Sequence, residues 1–260
     1  MPQTTAQPAD IRTQVGDRQI WAAYLLAWVA AFTDAIGFLT LQQLGASYMS
    51  GNSMSLGVAL GRGEWTATLN HGLPILSFML GLLLGVLLLL QLRQWGVRSA
   101  FAAVFGLEIL CIILFLLVGS GALQQGVIAS SQPSRFYTCM GLLTLAMGLQ
   151  TATVHKIGGQ GVRTTFVTGV LSDLINALIQ YVAWLHTQTI RRRLRQAVGA
   201  SMQQSAFRSL LALGGTWSCY VVGALCGSVL EQRLSLRALL LPLGMLALLI
   251  ALDIVRPFDQ

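Results

Sequence analysis

The feature that most constrains this chain is a series of six apolar runs, each long enough to cross the hydrocarbon core of a bilayer as a helix. Only helices and closed barrels satisfy their backbone groups in lipid, and these runs lack the alternation of barrel strands. The sequence therefore predicts an all-α polytopic membrane bundle of about six spanning helices. The runs cover residues 20–44, 73–92, 100–118, 136–154, 210–230 and 238–255.

Composition excludes the other broad classes of protein. Hydrophobic residues make up 55% of the chain and charged residues only 10%, whereas soluble domains carry about 25% charged residues and disordered chains still more. The formal net charge of +7 is not accompanied by a basic surface interleaved with aromatic residues, so we expect the lipid bilayer as a partner and no nucleic acid.

The sequence contains none of the short motifs that commonly mark enzymes. There is no phosphate-binding glycine loop, no nucleophile elbow and no zinc-protease motif. The four cysteines all lie in apolar stretches and form no CxxC pair. We therefore expect a protein that is not an enzyme and that has no catalytic residues, metal site or cofactor.

Two further segments, residues 47–61 and 166–186, are apolar but not ordinary spans. The first is short and polar, and the second carries Asp173 and Asn176 near its start. Either could be a re-entrant hairpin, a half-helix or an interfacial helix. The sequence leaves open whether they span the membrane or re-enter it.

The two segments resemble each other at an offset of 118 residues, which aligns Ser50 with Thr168 and Gly51 with Gly169. Each follows one predicted span and precedes two more, so the chain predicts an internal repeat with halves at about 20–118 and 136–255. The whole forms a single transmembrane domain over residues 20–256. Residues 1–19 are polar and are expected to be a disordered cytoplasmic tail.

The basic residues predict the orientation. If six helices span and neither motif segment crosses, twelve of the 16 Lys and Arg residues lie on the side of the N-terminus; if both segments crossed, ten would. Cytoplasmic loops are enriched in Lys and Arg. The six-span arrangement is therefore favoured, with both termini cytoplasmic and the two three-helix halves inverted relative to each other.

Several separated motifs resemble those of a known family. They are Thr33-Asp34-Ala35-Ile36-Gly37-Phe38, Met49-Ser50-Gly51-Asn52, and the stretch from Gly148-Leu149-Gln150 to Thr168-Gly169. In this order they resemble the YoaK-like family, a domain-of-unknown-function family of bacterial multi-pass inner-membrane proteins. The resemblance implies a helical bundle in the bacterial cytoplasmic membrane and implies no reaction. The family often has Gln-Asn where this chain has Gln150-Thr151, which argues against an essential carboxamide at Thr151.

The candidate site combines an intramembrane carboxylate with paired helix breaks. Asp34 lies within the first span, where an ionised group costs roughly 2.5–3.5 kcal/mol and a functional role is the default interpretation. A pairing partner within the bundle would instead make it structural. Helix breaks in corresponding places of two halves indicate a transporter site, and a glycine turn at the interface is the alternative. The candidate binding residues are Asp34, Ser50, Gly51, Asn52, Gln150, Thr168, Gly169, Asp173 and Asn176.

These residues favour a small secondary transporter or channel-like permease for a polar or anionic solute or an ion. Asp34 is then the candidate carrier of a proton or cation. A non-transporting scaffold or sensor is the alternative, and an intramembrane enzyme with Asp34 and Asp173 as an acid/base pair is a third hypothesis. The pairs Gly81-x-x-x-Gly85 and Gly223-x-x-x-Gly227 predict close helix packing. They leave a homo-oligomer open.

Overall fold

The computed structural model describes residues 17–121, 123–124, 127–128, 133–157, 167–191 and 204–258. This part of the chain is helical apart from a two-residue antiparallel hairpin, β1 and β2, and its connecting turns. In chain order the elements are α1 (Asp17–Thr40), α2 (Met49–Arg62), α3 (Trp65–Gln94), α4 (Ala100–Ser120), β1 (Leu123–Gln124), β2 (Val127–Ile128), α5 (Pro133–Ile157), α6 (Val167–Arg191), α7 (Ser205–Leu234), a 3₁₀ turn (Ser235–Leu239) and α8 (Leu240–Val255).

Five stretches of described helix are long and apolar enough to cross a membrane, which establishes a multi-pass helical membrane protein. They are Arg18–Thr40, Trp65–Gln94, Ala100–Ser120, Val167–Thr187 and Ser205–Val255, the last containing α7, the 3₁₀ turn and α8. The predicted span at 136–154, which lies in α5, is not among them. Buried polar side chains on α5, including Thr144, Gln150 and Thr153, lower its hydropathy.

Two helix pairs make the most extensive contacts, α3 with α5 and α1 with α7. The predicted glycine pairs, Gly81/Gly85 and Gly223/Gly227, allow these two close contacts. A Cβ atom at Gly81 would overlap the backbone of Leu145, and one at Gly223 would overlap the backbone of Trp28. Each glycine therefore lets the two backbones approach directly, as small residues do in membrane helices. The packing role predicted for both glycine pairs is confirmed.

The contacts along these pairs give the relative directions of the helices. Gly223 lies against Trp28 and Gly227 against Phe32, so α1 and α7 run in the same direction. In the same way, Gly81 lies against Leu145, and Gly85 against Leu149 one turn later. Helices α3 and α5 are therefore also parallel.

Helices α1 and α5 run in opposite directions. Gln150, near the end of α5, donates from Nε2 to the carbonyl oxygen of Leu26 near the start of α1, at 3.1 Å. Gly37, near the end of α1, lies against Leu143 in the middle of α5. Because α3 is parallel to α5, and α7 to α1, α3 runs opposite to α1 and α7 opposite to α5.

The shorter segments pack on the same two helices. Gly72 of α3 faces Leu56 of α2 across the turn at Gly63, so α2 and α3 are antiparallel. Helix α6 is antiparallel to α7, with the rings of Tyr181 and Phe207 5.1 Å apart. Among the described residues, neither α2 nor α6 makes an extensive contact with the other.

The core lies where α1, α4, α5 and α8 meet. It contains large apolar side chains from all four helices with less than 2% of their surface exposed, such as Phe32, Phe105, Phe136 and Leu249.

The start of the first helix differs slightly from the predicted position. Helix α1 begins at Asp17, three residues before the predicted start at 20, because Gln19 is anchored by a 2.7 Å hydrogen bond from Nε2 to the carbonyl of Phe258. The remainder of the predicted tail, 1–16, lies outside the described residues.

Candidate functional site

The first helix break lies in the eight-residue loop 41–48 between α1 and α2. The chain leaves α1 through two residues with left-handed backbone angles, Gln42 (φ 54°) and Gln43 (φ 63°). The loop then returns to the bundle, since Leu41 and Ala46 are each only 1% exposed. We name this segment the 41–48 loop.

The 41–48 loop is fastened to Asp34. Atom Oδ1 of Asp34 accepts a 2.9 Å hydrogen bond from the backbone N–H of Ser47, and Oδ2 accepts one from the Ser47 hydroxyl. The Tyr220 hydroxyl of α7 is a third donor, 3.4 Å from Oδ2. The partly buried Asp34 carboxyl is therefore directed at protein donors, and it joins three segments: α1, the loop and α7. We name Asp34, Ser47 and Tyr220 the Asp34 cluster.

Asn52 holds the middle of the same loop. Its side chain is 3% exposed and donates from Nδ2 to the carbonyl oxygen of Gly45 at 2.9 Å. Gly51 lies beside it, where a Cβ atom would overlap the ring of Tyr48. Asn52 and Gly51 thus fix the entry of the chain into α2, whereas the side chain of Ser50 is exposed.

The predicted break at Gly51 is wrong in its position. Gly51 is the third residue of the continuous helix α2, and the break precedes it, in the 41–48 loop. The reason is that Gly51 provides space for Tyr48, while Gln42 and Gln43 adopt the unusual backbone angles. Gly169 is likewise the third residue of α6. The stretch before α6, residues 158–166, lies outside the described residues.

The remaining candidates of the second half do not join the Asp34 cluster. Thr168, Asp173 and Asn176 are exposed on α6, and Gly169 is partly exposed. Helix α6 packs on α7 through a small separate cluster centred on Val170, Ala177 and Leu213. Asp34, Gly51 and Asn52 therefore each contact the 41–48 loop, at Ser47, Tyr48 and Gly45 respectively, and the α6 residues lie outside this group.

Gln150 is fully buried between α5 and α1. One end of its carboxamide bonds to Leu26, and its Oε1 has no hydrogen-bond partner. Gln150 thus links the two helices that begin the two halves, in agreement with the interhelical hydrogen bond expected of a polar residue in an apolar run.

Three residues that hold polar contacts in the structure were missed by sequence reasoning. Ser47 and Tyr220 complete the Asp34 cluster, and a lone tyrosine in an apolar run is itself a signal, since a buried hydroxyl needs a partner. Asp253, fully buried in α8, accepts from the backbone N–H groups of Ala102 and Phe258, both at 3.0 Å. It caps the start of α4, and its place near the end of the last span gave no indication of this.

An open cavity of about 380 Å³ lies where α4 and α7 end and the 3₁₀ turn begins. Its lining includes Ser120, Arg233, Ser235 and Arg237. Because α7 is parallel to α1, this cavity is at the same end of the bundle as the 41–48 loop.

Within the described ranges, no three His, Cys, Asp or Glu side chains are grouped as metal ligands would be.

Comparison with known proteins identifies the family. The family described as "Protein of unknown function (DUF1275)" matches residues 22–252. The chain belongs to the DUF1275 family. That assignment agrees with the resemblance to YoaK-like proteins, because the chain is 25% identical over 151 residues to the UPF0700 transmembrane protein YoaK of Bacillus subtilis (strain 168).

The similarity to YoaK covers 58% of this chain and 63% of the relative, so the chain matches less than two thirds of that protein's length. A second relative, the UPF0700 transmembrane protein RA0705 of Rhizobium meliloti (strain 1021), is 28% identical over 174 residues, which cover 62% of this chain and 67% of the relative. No solved structure matches the chain.

Proposed function

We propose that this DUF1275 protein is a small secondary transporter or channel-like permease for a polar or anionic solute, and not an enzyme. The observation that carries the proposal is the Asp34 cluster, in which an intramembrane carboxyl group holds a non-helical loop. Non-helical backbone at membrane depth is tolerated only where protein or a water-filled cavity surrounds it, and intramembrane ionisable residues mark transport pathways by default.

The helix directions support the proposed six-span arrangement with inverted halves. Helix α3 runs opposite to α1, so an even number of crossings lies between them, and α2 is too short at 14 residues, about 21 Å, to span. The same parity relates α5 and α7, so in this arrangement α6 is not a single crossing between them, although Val167–Thr187 is long and apolar enough to span. Helices α1 and α3 of the first half each run opposite to their counterparts in the second half, α5 and α7, as in inverted-repeat transporters.

Orientation in the bacterial cytoplasmic membrane follows from the basic residues in this proposal. Both termini are cytoplasmic, which puts the 41–48 loop and the cavity beside Arg233 and Arg237 at the outer end of the bundle. Two guanidinium groups at the mouth of a pathway raise the local concentration of anions. They support an anionic solute.

In this proposal the 41–48 loop is a gate, and protonation of Asp34 or binding of a cation to it would release the loop. An ionised carboxylate can accept all three hydrogen bonds that the cluster offers, and a neutral acid loses acceptor capacity and gains a donor. Weakened bonds to Ser47 would free the end of the 41–48 loop that leads into α2, while Asn52 continues to hold Gly45. The α6 residues Thr168, Gly169, Asp173 and Asn176 are the proposed counterpart segment of the second half.

A non-transporting scaffold or sensor is the second candidate, and one observation favours it. Among the described residues, the donors to Asp34 are Ser47 of the loop and Tyr220 of α7, which both connect it to another segment. Such a carboxyl group could serve only to tie α1, the loop and α7 together.

Reconstitution into proteoliposomes separates the two. We expect saturable uptake of at least one solute from a panel of polar and anionic compounds, responding to an imposed proton or cation gradient. Asp34→Asn should abolish the response to the gradient. Glu64→Gln, at the exposed turn between α2 and α3, is the matched control and should retain it. Equal flux in wild type and Asp34→Asn for every solute would reject the coupling role.

A further inference from the structure

Glu108 of α4 is the most deeply buried carboxyl group that the Asp34 cluster does not use. Its side chain is 0% exposed, and neither carboxyl oxygen has a hydrogen-bond partner. Asp34 and Asp253, by comparison, each accept two or more hydrogen bonds. Glu108 is thus the one of these three buried or partly buried carboxyl groups that the fold leaves unsatisfied.

The charged and titratable side chains near α4 are engaged at its two ends. Around the start of α4, Asp253 caps the helix, and the guanidinium of Arg93 lies over the ring of Phe101, 5.5 Å from its centre. Around its end, Arg135 of α5 donates to the carbonyl oxygen of Gly121 at 2.6 Å. Arg237 lines the cavity beside Ser120.

Closer along α4 itself there is only a thiol, that of Cys111, one turn from Glu108. Cys139 of α5 lies against Gly119, far along the helix from Glu108. No described cation therefore offsets a negative charge on Glu108. An isolated carboxylate without hydrogen bonds in an apolar core is far more costly than the neutral acid.

A second unsatisfied oxygen lies at the same depth. Helices α4 and α5 are antiparallel, with Gly121 against Arg135 and Gly119 against Cys139. The same register, extended along both helices, places Glu108 level with Gln150, whose Oε1 is buried and unpaired. A neutral carboxylic acid has one O–H to donate, and a carboxamide oxygen is a suitable acceptor.

We propose that Glu108 is a second ionisable site of this protein, which binds a proton in the core, with the Gln150 carboxamide oxygen as the acceptor for the resulting O–H. A proton fits the site better than a metal cation because a cation needs several oxygen ligands, and Glu108 and Gln150 provide few. The site lies level with Leu26 of α1, which Gln150 contacts, and is therefore eight residues of helix, or about 12 Å, deeper than Asp34 along the bundle axis. The two carboxyl groups thus occupy successive depths between the outer and inner ends.

Infrared spectroscopy of the purified protein in nanodiscs tests the protonation directly. At neutral pH we expect the C=O stretch of an un-ionised carboxylic acid in the wild type. Glu108→Gln should lose this band, and Asp34→Asn should retain it. Absence of the band from the wild type, or its persistence in Glu108→Gln, would overturn the proposal. Gln150→Met should shift the band without removing it, and an unchanged frequency would remove Gln150 from the site.

The unfolding temperatures of the variants show whether they still fold and provide a second test of the proposal. The proposed hydrogen bond to Gln150 sets the expected direction: Glu108→Leu leaves Oε1 of Gln150 without a donor and should unfold at a temperature about 2–4 °C lower than Glu108→Gln, whose carboxamide N–H can still donate to it. An unfolding temperature of Glu108→Leu at or above that of Glu108→Gln would remove Gln150 from the site as the acceptor. The proposal does not depend on transport: an acid band assigned to Glu108 in a protein that moves no solute would reject the transporter and leave the proton site standing.

Discussion

The tight contact between α3 and α5 predicts a large difference between two glycine-to-alanine substitutions. In Gly81→Ala the new methyl group would overlap the carbonyl oxygen of Leu145 and lie 3.0 Å from its carbonyl carbon. The obstacle is backbone, so it cannot rotate away, and the two helices would have to separate by about 1 Å to restore ordinary contact. Gly106→Ala is the matched control, because a Cβ atom there has nothing within 4 Å.

The magnitudes follow from these geometries. Overpacking costs about 1–3 kcal/mol, and the better helix propensity of alanine returns about 0.5–1 kcal/mol. Gly81→Ala should therefore lose about 1–2 kcal/mol, which lowers the unfolding temperature by about 2–8 °C. Gly106→Ala should gain about 0.5–1 kcal/mol. Gly223→Ala should behave like Gly81→Ala, since its methyl group would lie 3.0 Å from the carbonyl carbon of Trp28.

The protein's own thiols provide the assay. Cys111 and Cys139 are free and buried, so a thiol-reactive fluorescent dye reports their exposure as detergent-solubilised protein unfolds on heating. The reasoning is refuted if Gly81→Ala unfolds at the wild-type temperature. It is equally refuted if Gly106→Ala loses as much stability as Gly81→Ala does.

Three further outcomes are expected. Asp34→Ala leaves the loop amide without an acceptor and should cost about 1–3 kcal/mol in the same assay, whereas Ser50→Ala, at an exposed position, should change the unfolding temperature little. Gln43→Gly should stabilise the protein by about 1 kcal/mol because glycine adopts the left-handed angle freely, and Gln43→Val should destabilise it; the reverse order would contradict the role of that turn. In a cysteine-free background, Arg62→Cys should be labelled from outside intact cells and Arg193→Cys only after permeabilisation, and labelling of Arg193→Cys from outside would reject the proposed orientation.

Sequence periodicity and spacing predicted the parts of the fold that depend on one helix at a time. The apolar runs predicted α1, α3, α4, α7 and α8, with boundaries that differ by several residues where a helix continues beyond the apolar run, as α3 does at Trp65–Gln94. The glycine pairs identified the packing faces, because only small residues permit backbone contact. Asp34 was identified because a carboxyl group in an apolar run has few benign explanations.

Features that depend on two distant segments were not predictable. Ser47 and Tyr220 meet Asp34 only because the 41–48 loop folds back and α7 packs on α1, and no local pattern encodes either event. The displaced helix break has the same origin. Glycine permits left-handed angles but does not require them, and here Gln42 and Gln43 adopt them instead.

The composition of α5 has a consequence for how the chain enters the membrane. Helix α5 is enclosed by α1, α3 and α4, and yet it is not among the stretches apolar enough to cross on their own. Its threonines and Gln150 would favour water over lipid if α5 left the ribosome as an isolated segment. We therefore expect α5 to integrate only once α3 and α4, synthesised before it, are available as partners. Biogenesis of the second half would then depend on prior insertion of the first.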